Sequence, residues 1–399
     1  MSKWEEKRLE DIIDVNPPVK LKKGVSYPFI DIDKVSPTRR SVTSKEEKVY
    51  DGQSSSKFCD GDTVFSRITP CLENRKIAKV SIDGDAAFGS TEFYVFRAKK
   101  KKADARFTYY LTSSDAIVLP AINSMTGASG RQRADKRFIQ RLKLNLPDLP
   151  TQERIADILS TYDDLIEANN RRIELLEQTA QELYKEWFVR FRFPGYENTK
   201  FVKGLPKGWE IKRLADYGRV ETGKTPSTEV AENYGGEIMF VKTPDMHDNM
   251  FIIQTEEKLS ERGHSTQPKK LLPANSIMVS CIGTAGVVSI NAEPAHTNQQ
   301  INSIILNNLD ELEWLYHTCK SLKETIELFG ATGATMTNLS KGKFEKLKVI
   351  DPGEDLILAY HKKAKPLFDE IKSLLYQNNN LAAQRDLLLP RLMSGKLEV

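Results

Sequence analysis

Cysteine and histidine are scarce in this 399-residue chain, with four of the first and five of the second. Cys59, Cys71, Cys281 and Cys319 lie too far apart for a CxxC pair, and the histidines stand singly, without HExxH or other ligand spacing. A disulfide-stapled scaffold is therefore excluded, and neither a metal nor a cofactor is expected. Long apolar runs are missing too, so no membrane partner is expected. The first ten residues surround Trp4 with Glu and Lys and have no apolar core of a secretory signal, which makes the cytoplasm the expected compartment. Charge of one sign is also lacking: 59 Lys+Arg against 55 Asp+Glu leave a net +4.

What is present is an ordinary soluble composition, 39% hydrophobic and 29% charged, with a mean hydropathy of -0.46. The length suits two or three domains. The near-neutral total hides an asymmetry. Residues 1–150 hold 28 basic against 20 acidic residues, while residues 151–399 hold 31 against 35. A local excess of that size permits polyanion binding without requiring it.

The chain repeats itself with a period of 205 residues. Trp4-Glu5 recurs as Trp209-Glu210, and Pro147 recurs as Pro352. After each proline comes a heptad seam. Ile155, Leu159, Tyr162, Ile166, Asn169, Ile173, Leu176, Ala180, Leu183 and Trp187 step by four and three. Tyr360, Ala364, Leu367, Ile371, Leu374, Asn378, Leu381, Arg385, Leu388 and Leu392 follow at the same offset. Two helices of this kind need partners, and the simplest arrangement has each serve the other, antiparallel. The first, from about Gln152 to Arg192, would be roughly 60 Å long. Pro366 and Pro390 predict that the second is kinked or shorter, with about 25 residues of clean helix. Asn169 and Asn378 sit either as buried amides that fix register or at an exposed seam edge. The first helix is acidic, with 7 basic and 10 acidic residues in 151–200, which suits a spacer or a protein-docking surface better than a phosphate track.

The remaining parts read as mixed α/β. Short β-type runs, Thr63-Val64-Phe65, Phe93-Tyr94-Val95-Phe96, Ile238-Met239-Phe240-Val241 and Ser276-Ile277-Met278-Val279, are bounded by turn residues. Residues 193–208 form a turn-rich linker.

Two motifs suggest catalysis and neither has the right setting. Gly218-Arg219-Val220-Glu221-Thr222-Gly223-Lys224-Thr225 matches the phosphate-loop pattern GxxxxGK[ST], but a charged segment precedes it and Pro226 follows, where a buried strand and a helix are needed. Asn16-Pro17-Pro18 resembles the start of an adenine methyltransferase tetrapeptide, yet Val19 stands where an aromatic residue should stack on the flipped base. No glycine-rich cofactor turn accompanies it. Loops dense in hydrogen-bond donors point instead to nucleic acid. Arg67, Thr69, Asn74, Arg75 and Lys76 fall in one loop and Arg131, Gln132 and Arg133 in another; Lys242, Thr243, Asn298, Gln299, Gln300 and the stretch 333–341, ending at Lys341, are polar but less cationic.

The segment Leu146-Pro147-Asp148-Leu149-Pro150-Thr151-Gln152-Glu153-Arg154-Ile155-Ala156, the seam through Glu186-Trp187-Phe188, and Arg192-Phe193-Pro194-Gly195-Tyr196-Glu197 resemble the first spacer of specificity subunits of type I restriction-modification enzymes. Gln384-Arg385-Asp386-Leu387-Leu388-Leu389-Pro390-Arg391-Leu392-Met393-Ser394-Gly395-Lys396 resembles their second spacer. Arg67-Ile68-Thr69-Pro70-Cys71-Leu72-Glu73-Asn74, Gly89-Ser90-Thr91-Glu92-Phe93 and residues 126–133 look like a recurrent type of target recognition domain. Thr222-Gly223-Lys224-Thr225-Pro226 falls where second domains of that family carry a similar loop.

The resemblance implies an α+β chain with two mixed α/β target recognition domains in tandem, separated by two long antiparallel coiled-coil spacer helices. It places the first domain at 1–150, its spacer at 151–192, the linker at 193–208, the second domain at 209–353, and the second spacer and tail at 354–399. It implies a non-catalytic subunit that reads a bipartite double-stranded DNA target, together with two methylation subunits and, optionally, restriction subunits. On this reading Arg67, Thr69, Asn74, Arg75, Lys76, Ser90, Thr91, Arg131, Gln132 and Arg133 face the first half of the target. Lys224, Lys242, Thr243, Asn298, Gln299, Gln300 and Lys341 face the second. Two rivals remain: an NTPase using residues 218–225, whose ATP turnover would be abolished by Lys224→Ala, and a coiled-coil scaffold without salt-dependent DNA affinity.

Overall fold

In a computed structural model the residues described are 4–37, 39–128, 130–330 and 338–399. They divide into two compact units: Met1–Ala168 together with Asn378–Val399, and Asn169–Gln377.

In the first unit, alternation along the strands builds a sheet buried on both faces. Its order is Ile13–Val15, Phe93–Ala98, Thr63–Ser66, Ile77–Val80, Ser41–Val42. Val64, Phe93 and Val95 point to one apolar cluster, Phe65, Tyr94 and Phe96 to another, the two-residue period of a strand made visible. The first cluster is covered by a four-stranded sheet, Glu47–Tyr50, Val25–Ile30, Ala87–Gly89, Ser56–Phe58. The second is covered by the helices Ala105–Ser113, Asp115–Asn123 and Lys136–Gln140. The helix Ala105–Ser113 starts where it does because the Asp104 carboxylate accepts from the N–H groups of Arg106 and Phe107, both at 2.9 Å. Trp4–Arg8 pairs with Lys143–Pro147 and so ties the start of the unit to the residues that lead into the first long helix.

The second unit repeats this order strand for strand: Gly218–Thr222, Ile301–Leu306, Ile277–Ser280, Val288–Asn291, Phe251–Ile252. A three-stranded sheet, Lys258–Leu259, Tyr234–Val241, Ala295–Thr297, takes the place of the four-stranded one. Glu210–Arg213 pairs with Lys348–Asp351 as Trp4–Arg8 does with Lys143–Pro147. The duplication read from the sequence is thus a duplication of topology, and all four β-type runs fall on strands, the last with Ser276 just before its first residue.

The first long helix runs from Leu149 to Tyr184 and ends in a π-helical turn, Lys185–Val189. Asp148 starts it by accepting from the Thr151 N–H at 3.1 Å. Buried Gln152 then anchors it, donating to the Pro147 carbonyl at 3.0 Å and accepting from the Asp104 N–H at 3.2 Å. All twenty seam residues are buried or half-buried. In the first unit Ile155 and Leu159, from the start of one helix, share a cluster with Leu392 from the end of the other. In the second unit Ile173, Ala180 and Trp187 share one with Tyr360, Ala364 and Ile371. Start meets end in each case, so the two helices run antiparallel within both units. Each fully buried aliphatic or aromatic side chain in these seams is worth about 1.5–3 kcal/mol relative to exposure.

The second long helix differs from the expectation. It is not cut to about 25 residues but runs unbroken from Glu354 to Met393, 40 residues, through both prolines. Pro366 and Pro390 are exposed, as are Lys362 and Asp386 one turn before them. The carbonyls that lose their N–H partner therefore lie on the wet side, where water serves them. Ala364, Phe368 and Ile371 hold the opposite side in the core. Asn169 proves to be buried, at 3% exposure, and Asn378 half-buried. No helix is long and apolar enough to cross a membrane among the described residues.

Candidate nucleic-acid interface

In the first unit, backbone pairing brings three loops together at one end of the five-stranded sheet. The Arg67 N–H donates to the Glu92 carbonyl at 2.9 Å, and the Arg67 carbonyl accepts from the Ala134 N–H at 2.8 Å. Thr69 and Gln132 exchange two bonds: the Thr69 N–H donates to the Gln132 carbonyl at 3.0 Å, and the Gln132 N–H donates to Thr69 Oγ1 at 3.1 Å. Ser90 Oγ accepts from the Glu92 N–H at 3.3 Å. Arg67, Thr69, Ser90, Thr91, Gln132 and Arg133 therefore form one cluster.

Its electrostatic centre is Glu92. Arg133 donates to it from Nε at 2.9 Å and from Nη2 at 2.6 Å, and Arg67 donates from Nε at 3.2 Å. The Arg133 hydrogen bonds hold the Glu92 carboxyl below its ordinary range. The Arg67 guanidinium also lies over the Tyr94 ring, 5.5 Å from its centroid, and Tyr94 Oη donates to the Ala134 carbonyl at 2.7 Å. Two arginines and one glutamate leave one positive charge there.

The other candidates of this unit differ among themselves. Arg131 is exposed, and among the described residues its side chain has no hydrogen-bond or ion-pair partner. Asn74 is exposed at the tip of its loop. Arg75 donates to the Ser113 carbonyl at 3.2 Å and pairs with Asp115. Lys76 donates to the Ile32 carbonyl at 3.0 Å. These last two cations hold their loop onto the body of the unit.

The second unit builds the same frame with other side chains. The Cys281 N–H donates to the Gln300 carbonyl at 2.7 Å, and the Cys281 carbonyl accepts from the Leu339 N–H at 2.9 Å, so Cys281, Gln300 and Asn338 stand where Arg67, Glu92 and Arg133 stand in the first. Gln300 Oε1 accepts from Thr243 Oγ1 at 3.2 Å and from Asn298 Nδ2 at 3.3 Å. Thr225 Oγ1 donates to Gln299 Oε1, and Thr222 Oγ1 donates to Asn302 Oδ1, both at 2.6 Å. Lys242 is paired with Glu257 at 2.9 Å and Lys341 with Glu345 at 3.8 Å. Exposed Lys224 has no side-chain partner among the described residues. The cluster is rich in amides and hydroxyls and holds little free charge, but Thr243, Asn298 and Asn302 are buried, at 7%, 9% and 2% exposure. Residues 333–337 of the expected loop, and Ser129 of its counterpart, lie outside the described residues.

A family model described as type I restriction modification DNA specificity domain matches residues 1–178 and again 206–354. The chain belongs to the type I restriction-modification DNA specificity family. It is 33% identical to the type I restriction enzyme HindI specificity subunit of Haemophilus influenzae, over 87% of this chain and 88% of that one. It is 27% identical to the MjaIX specificity subunit of Methanocaldococcus jannaschii, over 74% of this chain and 69% of that one. In fold it is similar to the crystal structure of a type I restriction-modification system S subunit from M. genitalium, with a TM-score of 0.56 at 14% identity, covering 98% of this chain and 96% of that one.

The phosphate-loop pattern has no phosphate site in this specificity chain. Gly218–Thr222 is a strand in register with residues 302–306, and no α-helix follows it directly. The N–H groups of Gly223 and Lys224 donate to the Ile301 and Thr297 carbonyls at 3.2 and 2.9 Å, where a phosphate would need them free. Gly223 is required for packing: a Cβ there would sit 2.1 Å from the Asn298 oxygen. Asn16 is structural as well, its Oδ1 accepting from the Val95 N–H at 2.9 Å.

Sequence reasoning did not single out Glu92, Tyr94 or Asn302 as parts of these clusters, and it reached Asn338 only within the stretch 333–341. The signal was present in the repeat but not at one fixed spacing. Arg133 and Asn338 are 205 residues apart, but Glu92 and Gln300 are 208 apart and Arg67 and Cys281 are 214 apart. Insertions in the loops slide these residues out of the register that the framework keeps.

Proposed function

We propose that the chain is a non-catalytic reader of a two-part double-stranded DNA target, each repeat taking one part, and that it directs adenine methylation, and restriction where restriction subunits join, by partner subunits. The observation that carries this reading is one backbone frame built twice and furnished with different donors and acceptors. A base-edge reader needs that combination: fixed geometry, with side chains free to vary. The first repeat supplies Arg67, Arg131 and Gln132 for base edges or phosphates; the second supplies exposed Lys224 and Gln299, with buried Thr243 and Asn298 holding the Gln300 side chain.

The long helices act as the ruler in this reading. Helices of 36 and 40 residues are about 54 and 60 Å long, ample for half-sites separated by one turn of B-DNA, roughly 34–36 Å. Mapping methylated adenines across a genome with the methylation subunits alone, and again with this chain, tests the proposal. A bipartite motif that appears only with the chain is the expected result. ATP turnover by the chain alone, or a motif indifferent to its presence, would overturn it. A heptad inserted in phase into each long helix should widen the gap in the motif, and an unchanged gap would remove the ruler.

A further inference from the structure

A carboxylate at the centre of a surface meant for a polyanion has the wrong sign unless it acts on its neighbours. Glu92 has such neighbours on two loops. Its side chain is 20% exposed, against 29% for Arg67 and 45% for Arg133, so it lies deeper than either guanidinium. Arg133 meets it along the Nε/Nη2 edge. Arg67 meets it through Nε only, which leaves the terminal nitrogens of Arg67 out of the clamp. Paired guanidinium nitrogens match O6 and N7 of guanine. The Tyr94 ring against the guanidinium of Arg67 and the backbone bonds on both sides of that residue restrict the remaining freedom of a long side chain. An unheld arginine would have to be ordered by the DNA itself; one already held loses less on binding.

We propose that Glu92 is a positioning residue that aims Arg67 at a guanine edge in the first part of the target, with Arg133 balancing its charge. This rests on the reading of the chain as a two-part DNA reader. Gln300, in the equivalent place, has no arginine to aim and instead gathers Thr243 and Asn298, so the effect belongs to the first part alone.

The test uses the complete complex of this chain with its methylation subunits, acting on a DNA library randomised in both parts of the target, with sequencing of methylated molecules. Glu92→Gln keeps the size of the side chain and removes its charge. It should reduce preference at one base position of the first part by about tenfold and leave the second part untouched, which also serves as the folding control. Arg67→Lys should relax the same position, and Glu92→Asp should fall between Glu92→Gln and the parent. Unchanged preference in Glu92→Gln, a different position relaxed by Arg67→Lys, or equal loss in both parts would each overturn the assignment while leaving the two-part reading intact. A parent complex with no two-part motif would overturn both.

Discussion

The two repeats share a strand order and a loop frame but differ in how they handle charge. The first gathers two arginines around Glu92; the second puts Cys281, Gln300 and Asn338 in the same places and pairs Lys242 and Lys341 with glutamates. The difference shows which positions the fold fixes and which it leaves open. Backbone bonds such as Arg67 to Glu92 and Cys281 to Gln300 are kept at 2.9 and 2.7 Å, because they close the sheet end. The side chains on those backbones differ: Arg67 and Glu92 form a partly exposed ion pair, while Cys281 is buried in the core beside half-buried Gln300.

The most severe challenge to the comparison is to unfold one repeat and ask whether the other notices. Phe368, 1% exposed, packs edge-on against Phe251 and Tyr316 at centroid distances of 6.1 and 5.7 Å. Phe368→Ala should destabilise the second unit by about 3–5 kcal/mol. Hydrogen exchange resolved by segment should show faster opening there, with the core around Phe65 and Phe96 unchanged. Simultaneous loosening of both would mean that the units are one cooperative body.

Removing the arginine proposed to read the first half-site comes next. Arg67→Ala should lose about 1–3 kcal/mol of discrimination at one base of one half-site, scored by competition binding with single-base variants. Uniform weakening against every sequence would make Arg67 a phosphate contact.

Acid separates the repeats by a third route. All five histidines lie in the second unit and none in the first. Burial lowers His296 to about 4 and His317 to about 3, so both stay neutral in the folded unit when the unfolded chain, with values near 6.5, has taken up protons. The unfolded state then binds more protons, and the stability of the second unit falls as pH drops from about 6.5 toward the folded values. Denaturation followed at pH 7 and pH 4.5 should show a net loss on the order of 1–2 kcal/mol in the second unit, because Glu311, which burial raises to about 7, takes up a proton in the folded unit over the same range and offsets part of what the two histidines cost. The first unit, which lacks histidine, should hold until its carboxylates titrate. The Glu92 clamp fails only when pH falls through a carboxyl value already held below the ordinary one. An equal loss in the two units between pH 7 and 4.5 would remove histidine as the cause.

The smallest effect is expected at Lys224. Lys224→Ala should weaken binding evenly over all sequences, by under about 1 kcal/mol, and reduce the slope of log affinity against log salt by about 1. Relaxation at a single base would promote Lys224 to a base contact.

How far the sequence reached follows from the same distinction. The heptad seams were legible because burial repeats every three or four residues and twenty positions obey it. The strands around Val64 and Val95 were legible because their apolar runs are bounded by turns. Pro366 misled as to length because a rule for helix interiors does not know which side of the helix is wet. Arg75 and Lys76 looked like readers in a donor-rich loop, yet they bind Asp115 and the Ile32 carbonyl; nothing in a local pattern tells a cation that grips its own fold from one that waits for DNA. Glu92 was passed over for the opposite reason, an acidic residue being discounted until its arginines are seen to converge from residues 67 and 133.

The sharing of the long helices between units also has a consequence in time. The first unit draws Leu392 and its neighbours into the cluster that holds Ile155 and Leu159, and residues 378–399 are made some 210 residues after Ala168. At ordinary synthesis rates that is a wait of roughly 10–40 s, during which the first recognition repeat is complete in its sheets but has an open helical seam. A nascent chain stopped at Gln377 would hold every residue that touches the target in this reading and still leave its earliest-made part the most exposed to proteases and chaperones.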